Sequence, residues 1–240
     1  MKIGVITDIH NNLTALNAVL DRFAQLGCGP IICCGDIIGI GPWPEETVRR
    51  MMQIPHLLAV RGNHEKYLLE GMPETFPNEE RMEPEERRHH QWEHSLLSEA
   101  SAAFLKKLPW RVDTVIEGVR ISILHYCMDR DGHYIRYTPN PSEQDLQTMF
   151  DVVDSDVIFY GHDHRRSICT GDRFYINAGS LGCPAQEKNI ARAAIAVIEH
   201  GRVAVQPIDV PYAVQPVVQA LDEHRVPDAA NIKKYFYGIQ

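Results

Sequence analysis

Five short stretches of this chain carry side chains that could do chemistry together. They are Asp8-Ile9-His10, Gly35-Asp36, Gly62-Asn63-His64-Glu65, His125 and Gly161-His162-Asp163-His164, with Arg61 and Arg165 beside them. The donors are carboxylate, imidazole and amide, with no thiolate. That mixture suits manganese, iron, cobalt or zinc, with nickel also admissible, better than copper or a cluster. Asp8 and His10 lie two residues apart at the end of an extended run, so both point to one side and can grip one ion. His162 and His164 repeat the spacing and could serve one metal each. Asp36 follows the next run, where one carboxylate can bridge two ions. A lone Asp or His after a strand is usually a turn former or a packed ring. The full set in this order has the layout of a two-metal hydrolase site, in which paired cations activate water.

Apolar runs deliver these residues. Residues 2–7, 30–34, 57–60, 120–124 and 157–160 read as buried strands, each ending just before one of the chemical segments. Between them, residues 11–26 carry a helical stripe (Leu13, Leu16, Val19, Leu20, Phe23) that Gly27 stops, and Pro42 and Pro44 open a second helix to residue 52. Strand, helix, strand, helix, strand implies a parallel sheet with side chains delivered to one edge. Residues 70–84 read as a surface connection and 85–107 as one long helix with Trp92, Leu96, Ala100, Ala103 and Phe104 on a face. Beyond Pro109, alternation around Gly118, Gly171-Asp172 and His200-Gly201 signals hairpins. No repeat or linker divides the chain, and residues 1–240 are expected to form one domain. His90 and His94 share a helix face near His89; that face is expected to be polar with charged neighbours rather than a further metal site.

The chain has 240 residues, 44% hydrophobic and 23% charged, enough to bury a core of its own. A formal charge of −8 argues against general nucleic-acid binding, which needs a basic face. Met1 leads straight into a strand-like run, and no apolar run approaches a membrane span. The six cysteines show neither metal-site nor disulfide spacing and read as reduced thiols, so a cytoplasmic location is expected.

The motif set resembles the signature of the calcineurin-like metallophosphoesterases, in which DxH, GDxx(G), GNH(E/D), H and GHxH follow one another; it covers roughly residues 1–185. The resemblance implies an α/β fold, a four-layer α/β/β/α sandwich of two mixed sheets flanked by helices. It implies one metal on Asp8, His10, Asp36 and His164, and a second on Asp36, Asn63, His125 and His162. It makes His64 the general acid toward the leaving group, with Glu65 steering it, and Arg61 or Arg165 a clamp on phosphoryl oxygens. Tyr126 follows His125 where the family often has Gly, and is expected to reshape the pocket mouth. The loop 177–182 resembles the family's Asn-Pro-Gly-Ser loop beside the metals, and is expected to be a turn without chemistry.

Arg61-Gly62-Asn63-His64-Glu65 is similar to the protein-phosphatase and diadenosine-tetraphosphatase branch. After Gly35-Asp36, however, the chain reads Ile37-Ile38-Gly39-Ile40-Gly41-Pro42, without the Asp-Arg-Gly of protein phosphatases. That version is similar to small bacterial phosphoesterases grouped with dinucleoside polyphosphate hydrolases. The expected substrate is therefore a small phosphorylated molecule, a nucleotide such as a dinucleoside polyphosphate. Residues 126–137 offer Arg130, His133, Tyr134, Arg136 and Tyr137, among which Tyr134 could stack a base. Alternatives are cyclic nucleotides or other small diesters, a phosphomonoester, and a non-catalytic scaffold on the same fold.

Overall fold

The computed structural model describes residues 1–72, 74, 82–128, 135, 138–183 and 189–239. The first half alternates as the sequence predicts: β1 (Lys2–Ile6), α1 (Leu13–Gln25), β2 (Ile31–Cys33), α2 (Pro44–Met52), β3 (Leu57–Ala59) and α3 (Asn63–Glu70). Asn12 caps α1 by accepting from the Ala15 amide at 3.1 Å. Two further helices, α4 (Pro84–Leu96) and α5 (Glu99–Lys107), precede the hairpin β4 (Arg111–Ile116) and β5 (Val119–Leu124). Then come α6 (Glu143–Met149), β6 (Val157–Tyr160), β7 (Ser167–Cys169), β8 (Phe174–Asn177), β9 (Ile190–Glu199), β10 (Arg202–Pro211), α7 (Gln215–Glu223) and α8 (Ala229–Phe236).

Among the described residues the strands form two five-stranded sheets. One runs β10-β9-β1-β2-β3 and the other β4-β5-β6-β8-β7. Both are mixed: β1, β2 and β3 are parallel while β9 is antiparallel to β1, and β5, β6 and β8 are parallel between antiparallel edges. Strand alternation sorts the side chains into layers. Ile3 and Val5 of β1, Ile32 of β2, Val157 and Phe159 of β6, and Ala194 and Ala196 of β9 form a buried layer between the sheets. The opposite faces, Ile6, Cys33 and Ile195, pack under α1, α2 and α7. Ile158 and Tyr160 pack under α6 with Leu146 and Phe150. The result is the expected α/β/β/α sandwich, with α7 and α8 in the same core as α1 through Leu221, Ile232 and Tyr237. All six cysteines are free, and no described helix is long and apolar enough to cross a membrane.

One expected element divides. The single helix over 85–107 breaks at Leu97, which is extended (φ −74°, ψ 128°), and Ser98 begins α5 by accepting from the Ser101 amide at 3.2 Å. The Ser98 amide is held in turn by Glu45 Oε2 of α2 at 2.9 Å. Apolar periodicity ran through the break because Trp92, Leu97 and Phe104 all face one core.

Candidate metal centre

Both sheets place strand ends at one edge. Asp8 and His10 follow β1, Asp36 follows β2, Asn63 opens α3 after β3, His125 follows β5, and His162 and His164 follow β6. Five of these seven residues, Asp8, His10, Asp36, His162 and His164, sit at positive φ between 49° and 70°. For non-glycine residues this costs on the order of 1 kcal/mol each, and such strain persists where the surroundings over-determine it. Here they do. Glu65, fully buried, accepts from the amides of Asp36, Ile37, Ile38 and Gly62 at 2.7–3.1 Å and so pins the loop that presents Asp36. The Asp8 carbonyl accepts from Ser180 Oγ at 2.9 Å and from the Leu181 amide at 3.2 Å, so the 177–182 loop braces the first ligand segment.

The side chains converge on lone pairs. His10 Nδ1 faces the Ile38 carbonyl at 3.2 Å and His125 Nδ1 faces the Cys34 carbonyl at 2.7 Å. A carbonyl can only accept, so each Nδ1 carries the hydrogen and each Nε2 turns inward. His10 Nε2 then lies 2.9 Å from His164 Nε2, and His164 Nε2 lies 3.3 Å from Asp8 Oδ1. On the other side His125 Nε2 stands 3.2 Å from Asp36 Oδ2 and 3.0 Å from Asn63 Oδ1, which His162 Nδ1 also approaches at 3.0 Å. Burial holds His10 and His162 down at about 4, so both rings are neutral at pH 7. Burial would raise Asp36, but His125 and His64 keep its carboxyl well below the usual range. Two neutral imidazoles and ionised carboxylates crowded at hydrogen-bond distance fit a cation site. The donors fall into two groups around Asp36: Asp8, His10, Asp36 and His164, and Asp36, His125 and His162.

This electrostatic arrangement gives a pH prediction. Burial opposes a charge on His125, yet Asp36 and Asp8 lift it to about 9, so without metal the ring is protonated at pH 7. Coordination needs the neutral ring, hence loading expels the proton and affinity rises with pH until about 9. Calorimetric titration with manganese in buffers of different ionisation enthalpy is expected to show about one proton released for this histidine. Heats independent of the buffer would contradict it.

His64 stands beside this cluster, its ring edge-on to His10 at 4.8 Å and its Nε2 3.9 Å from Asp36 Oδ2. A Cβ on Gly39 would lie 2.3 Å from His64 Nδ1, so only glycine lets the ring sit there. Glu65 does not steer the ring, contrary to expectation: its oxygens are taken by the loop amides. The 89–94 face has the charged neighbours expected of it, Glu86 and Glu93 beside His90, and it is buried. His89, His90 and Glu93 are buried, and the His90 ring lies 5.0 Å from that of His64. His90 Nδ1 donates to Glu93 Oε1 at 2.6 Å, and Glu93 Oε2 accepts from the Gly39 amide at 2.7 Å and from Asn11 Nδ2 at 2.8 Å. Burial works against a charge on His90, but Glu86 and Glu93 lift it to about 9. His64, His90 and Glu93 bring donor atoms within 4.8 Å of one another beside the centre, with both Glu93 oxygens already accepting hydrogen bonds. Apolar-stripe counting overlooks them; the i,i+3 pairing of His90 with Glu93 was the available signal.

The expected substrate contacts fare differently. Arg61 is turned away: its guanidinium donates to the carbonyls of Leu108 at 2.6 Å and Lys106 at 3.2 Å and lies over the Trp110 ring at 4.8 Å. The unsatisfied carbonyls ending α5 explain that choice. Arg165 is exposed on the ligand loop after β6 and donates to Asn140 Oδ1 at 2.6 Å. Tyr126 points inward instead of reshaping a mouth. It is buried, its ring backs His162 at 4.7 Å, and its hydroxyl accepts from the Thr138 amide. Tyr134 lies outside the described residues, as do Arg130, His133, Arg136 and Tyr137.

A calcineurin-like phosphoesterase superfamily domain model matches residues 1–201. An uncharacterized protein of Methanocaldococcus jannaschii is 26% identical over 249 residues, covering 94% of each chain. Phosphodiesterase YfcE of Escherichia coli is 25% identical over 194 residues, covering 77% of this chain and 81% of its own. Among solved structures, a hypothetical protein from Pyrococcus horikoshii superposes with a TM-score of 0.81 at 17% identity, covering 99% of this chain and 98% of its own. A metallophosphoesterase from Sphaerobacter thermophilus superposes at 0.77 with 23% identity, covering 100% and 99%. At such identities the structures share the fold, including the region of α7 and α8 beyond the matched domain.

Proposed function

Because the chain belongs to the calcineurin-like phosphoesterase superfamily, and so is a metal-dependent phosphoric ester hydrolase, we propose that it is a phosphodiesterase of small molecules, nucleotides foremost. Residues 1–240 act in it as one unit. The convergence of imidazole lone pairs and carboxylates around Asp36, with His64 alongside, carries this reading. The likeness to a phosphodiesterase supports a diester over a monoester.

In this reading Asp8, His10, Asp36 and His164 hold one divalent cation, and Asp36, Asn63, His125 and His162 a second. Manganese or iron come first, with zinc, cobalt and nickel also matching the donors. Such a pair supplies Lewis acidity, activating water and neutralising charge at the phosphoryl group. The chain does the rest. The Ile38 and Cys34 carbonyls hold the His10 and His125 rings in the tautomers that turn Nε2 inward. Arg165, exposed on the ligand loop, takes the role of holding phosphoryl oxygens in this reading. His64 passes a proton to the departing oxygen, a role separate from metal binding.

The test is an assay of purified protein with manganese against bis(p-nitrophenyl) phosphate, p-nitrophenyl phosphate, diadenosine tetraphosphate and a phosphoserine peptide. The diester is expected to lead, with the dinucleotide ahead of the peptide by at least about tenfold in kcat/KM, a difference of one good contact. A preference for the phosphopeptide would overturn the assignment.

A further inference from the structure

A cavity of about 500 Å³ opens between α4 and α8, and its inner wall is the metal centre itself, with His64 and His164 both on it. A group that His64 protonates as it departs must lie on His64's side, and this is the space there. The two remaining walls differ in character. The α8 wall presents Ile232, Tyr235 and Phe236, with Asn231 donating to Asp228 at the start of the helix.

The α4 wall accepts hydrogen bonds. His89 Nδ1 faces the Pro227 carbonyl at 3.3 Å and must carry the hydrogen. Its Nε2 therefore presents a buried lone pair, without a hydrogen-bond partner among the described residues. His90 Nε2 faces Glu86 Oε1 at 3.8 Å, so its charge is already answered. Carboxylates of Glu83, Glu85, Glu86 and Asp228 also line the cavity, which has no Lys or Arg among its described lining residues. The nearby cations are already engaged: Arg88 pairs with the lining carboxylate of Glu85, Lys233 pairs with Asp222, and the Lys234 ammonium lies 5.0 Å from the Tyr235 ring centre.

An acceptor-rich wall facing an aromatic one suits an occupant that donates hydrogen bonds and offers an apolar face. It repels anions, since like charges brought together in a partly buried site cost affinity. We propose that the α4–α8 cavity is the leaving-group subsite, and that it takes a hydrogen-bond-donating, non-anionic alcohol rather than a second phosphate group. The inference rests on the phosphodiesterase reading and narrows it. The bond broken joins phosphorus to the oxygen of an uncharged or ammonium-bearing alcohol, such as a nucleoside hydroxyl, which departs with the proton from His64. A nucleoside phosphate leaving from a polyphosphate would instead bring negative charge against Glu86 and Asp228.

Three methyl phosphodiesters test this, differing only in the second alcohol: glycerol, ethanolamine or glycolic acid. Release of that alcohol by the manganese-loaded protein is followed by mass spectrometry, with bis(p-nitrophenyl) phosphate run in parallel. The glycerol and ethanolamine esters are expected to exceed the glycolate ester by about tenfold or more in kcat/KM. Glu86→Gln with Asp228→Asn should shrink that ratio at least about threefold, by removing the two charges. Both residues are half-buried, and Asn tolerates the left-handed conformation of position 228 (φ 63°), so the variant should fold. Equal rates for the three esters, or a ratio unchanged in the variant, would refute the subsite while bis(p-nitrophenyl) phosphate is still cleaved. Failure to cleave any diester would instead refute the phosphodiesterase reading on which it stands.

Discussion

Asp36→Asn is expected to leave a folded protein with no measurable turnover and with both metals weakened together. The reason is topological: Asp36 is the one residue common to the two donor groups, with Oδ2 3.2 Å from His125 Nε2 and 3.8 Å from His10 Nε2. Asparagine keeps the side chain's shape and the oxygen that accepts from the His64 amide at 3.1 Å, so local structure has a partner to retain. It loses the charge and the second oxygen, which no neighbour replaces. Outer-shell partners of metal ligands cost about 10–100-fold when removed, so a shared inner ligand should cost more than about a hundredfold in affinity. Metal content after dialysis, together with kcat on a chromogenic diester, measures both effects. Full activity of the parent protein in strong chelator after prolonged dialysis would sink the two-metal reading. So would a variant that still holds two ions per chain.

The strands that carry the site were readable because a run such as 157–160, apolar on both faces, announces a buried strand. The residue types that follow each run announce a polar edge. Sheet partners were harder, yet the hairpins set the second sheet through turns that the sequence marks. Three things were not legible. A side chain leaving a strand end can go either way, and Arg61 goes toward the carbonyls that end α5 rather than toward the centre. A carboxylate can be buried when backbone amides meet its oxygens. Glu65 is buried in this manner, and Glu93 is buried by one amide together with the His90 and Asn11 side chains, though acids usually mark solvated faces. A helix can also stop within an unbroken apolar stripe when a serine caps the next one, as at Ser98. Each miss comes from a polar group satisfied by a specific hydrogen bond, which apolar periodicity does not record.

His64→Ala should separate chemistry from metal binding. The ring is buried beside His10 and His90, but its Nε2 stays 3.9 Å from the nearest Asp36 oxygen, outside the crowd of nitrogens and oxygens that surrounds the metal positions. Its removal should therefore leave metal content near that of the parent while lowering turnover by roughly a hundredfold or more, the usual contribution of a positioned acid. Dependence on the leaving group distinguishes an acid from a structural prop. A nitrophenolate departs without a proton, so bis(p-nitrophenyl) phosphate should suffer least, whereas a methyl diester of glycerol should suffer most. A ring that merely filled space would slow both substrates alike, and His64→Gln, which refills much of the volume, would then restore both. Under the acid reading glutamine restores neither for the alkyl leaving group, since its amide does not give up a proton at neutral pH. Loss of both ions in the alanine variant would show instead that His64 belongs to the ligand set.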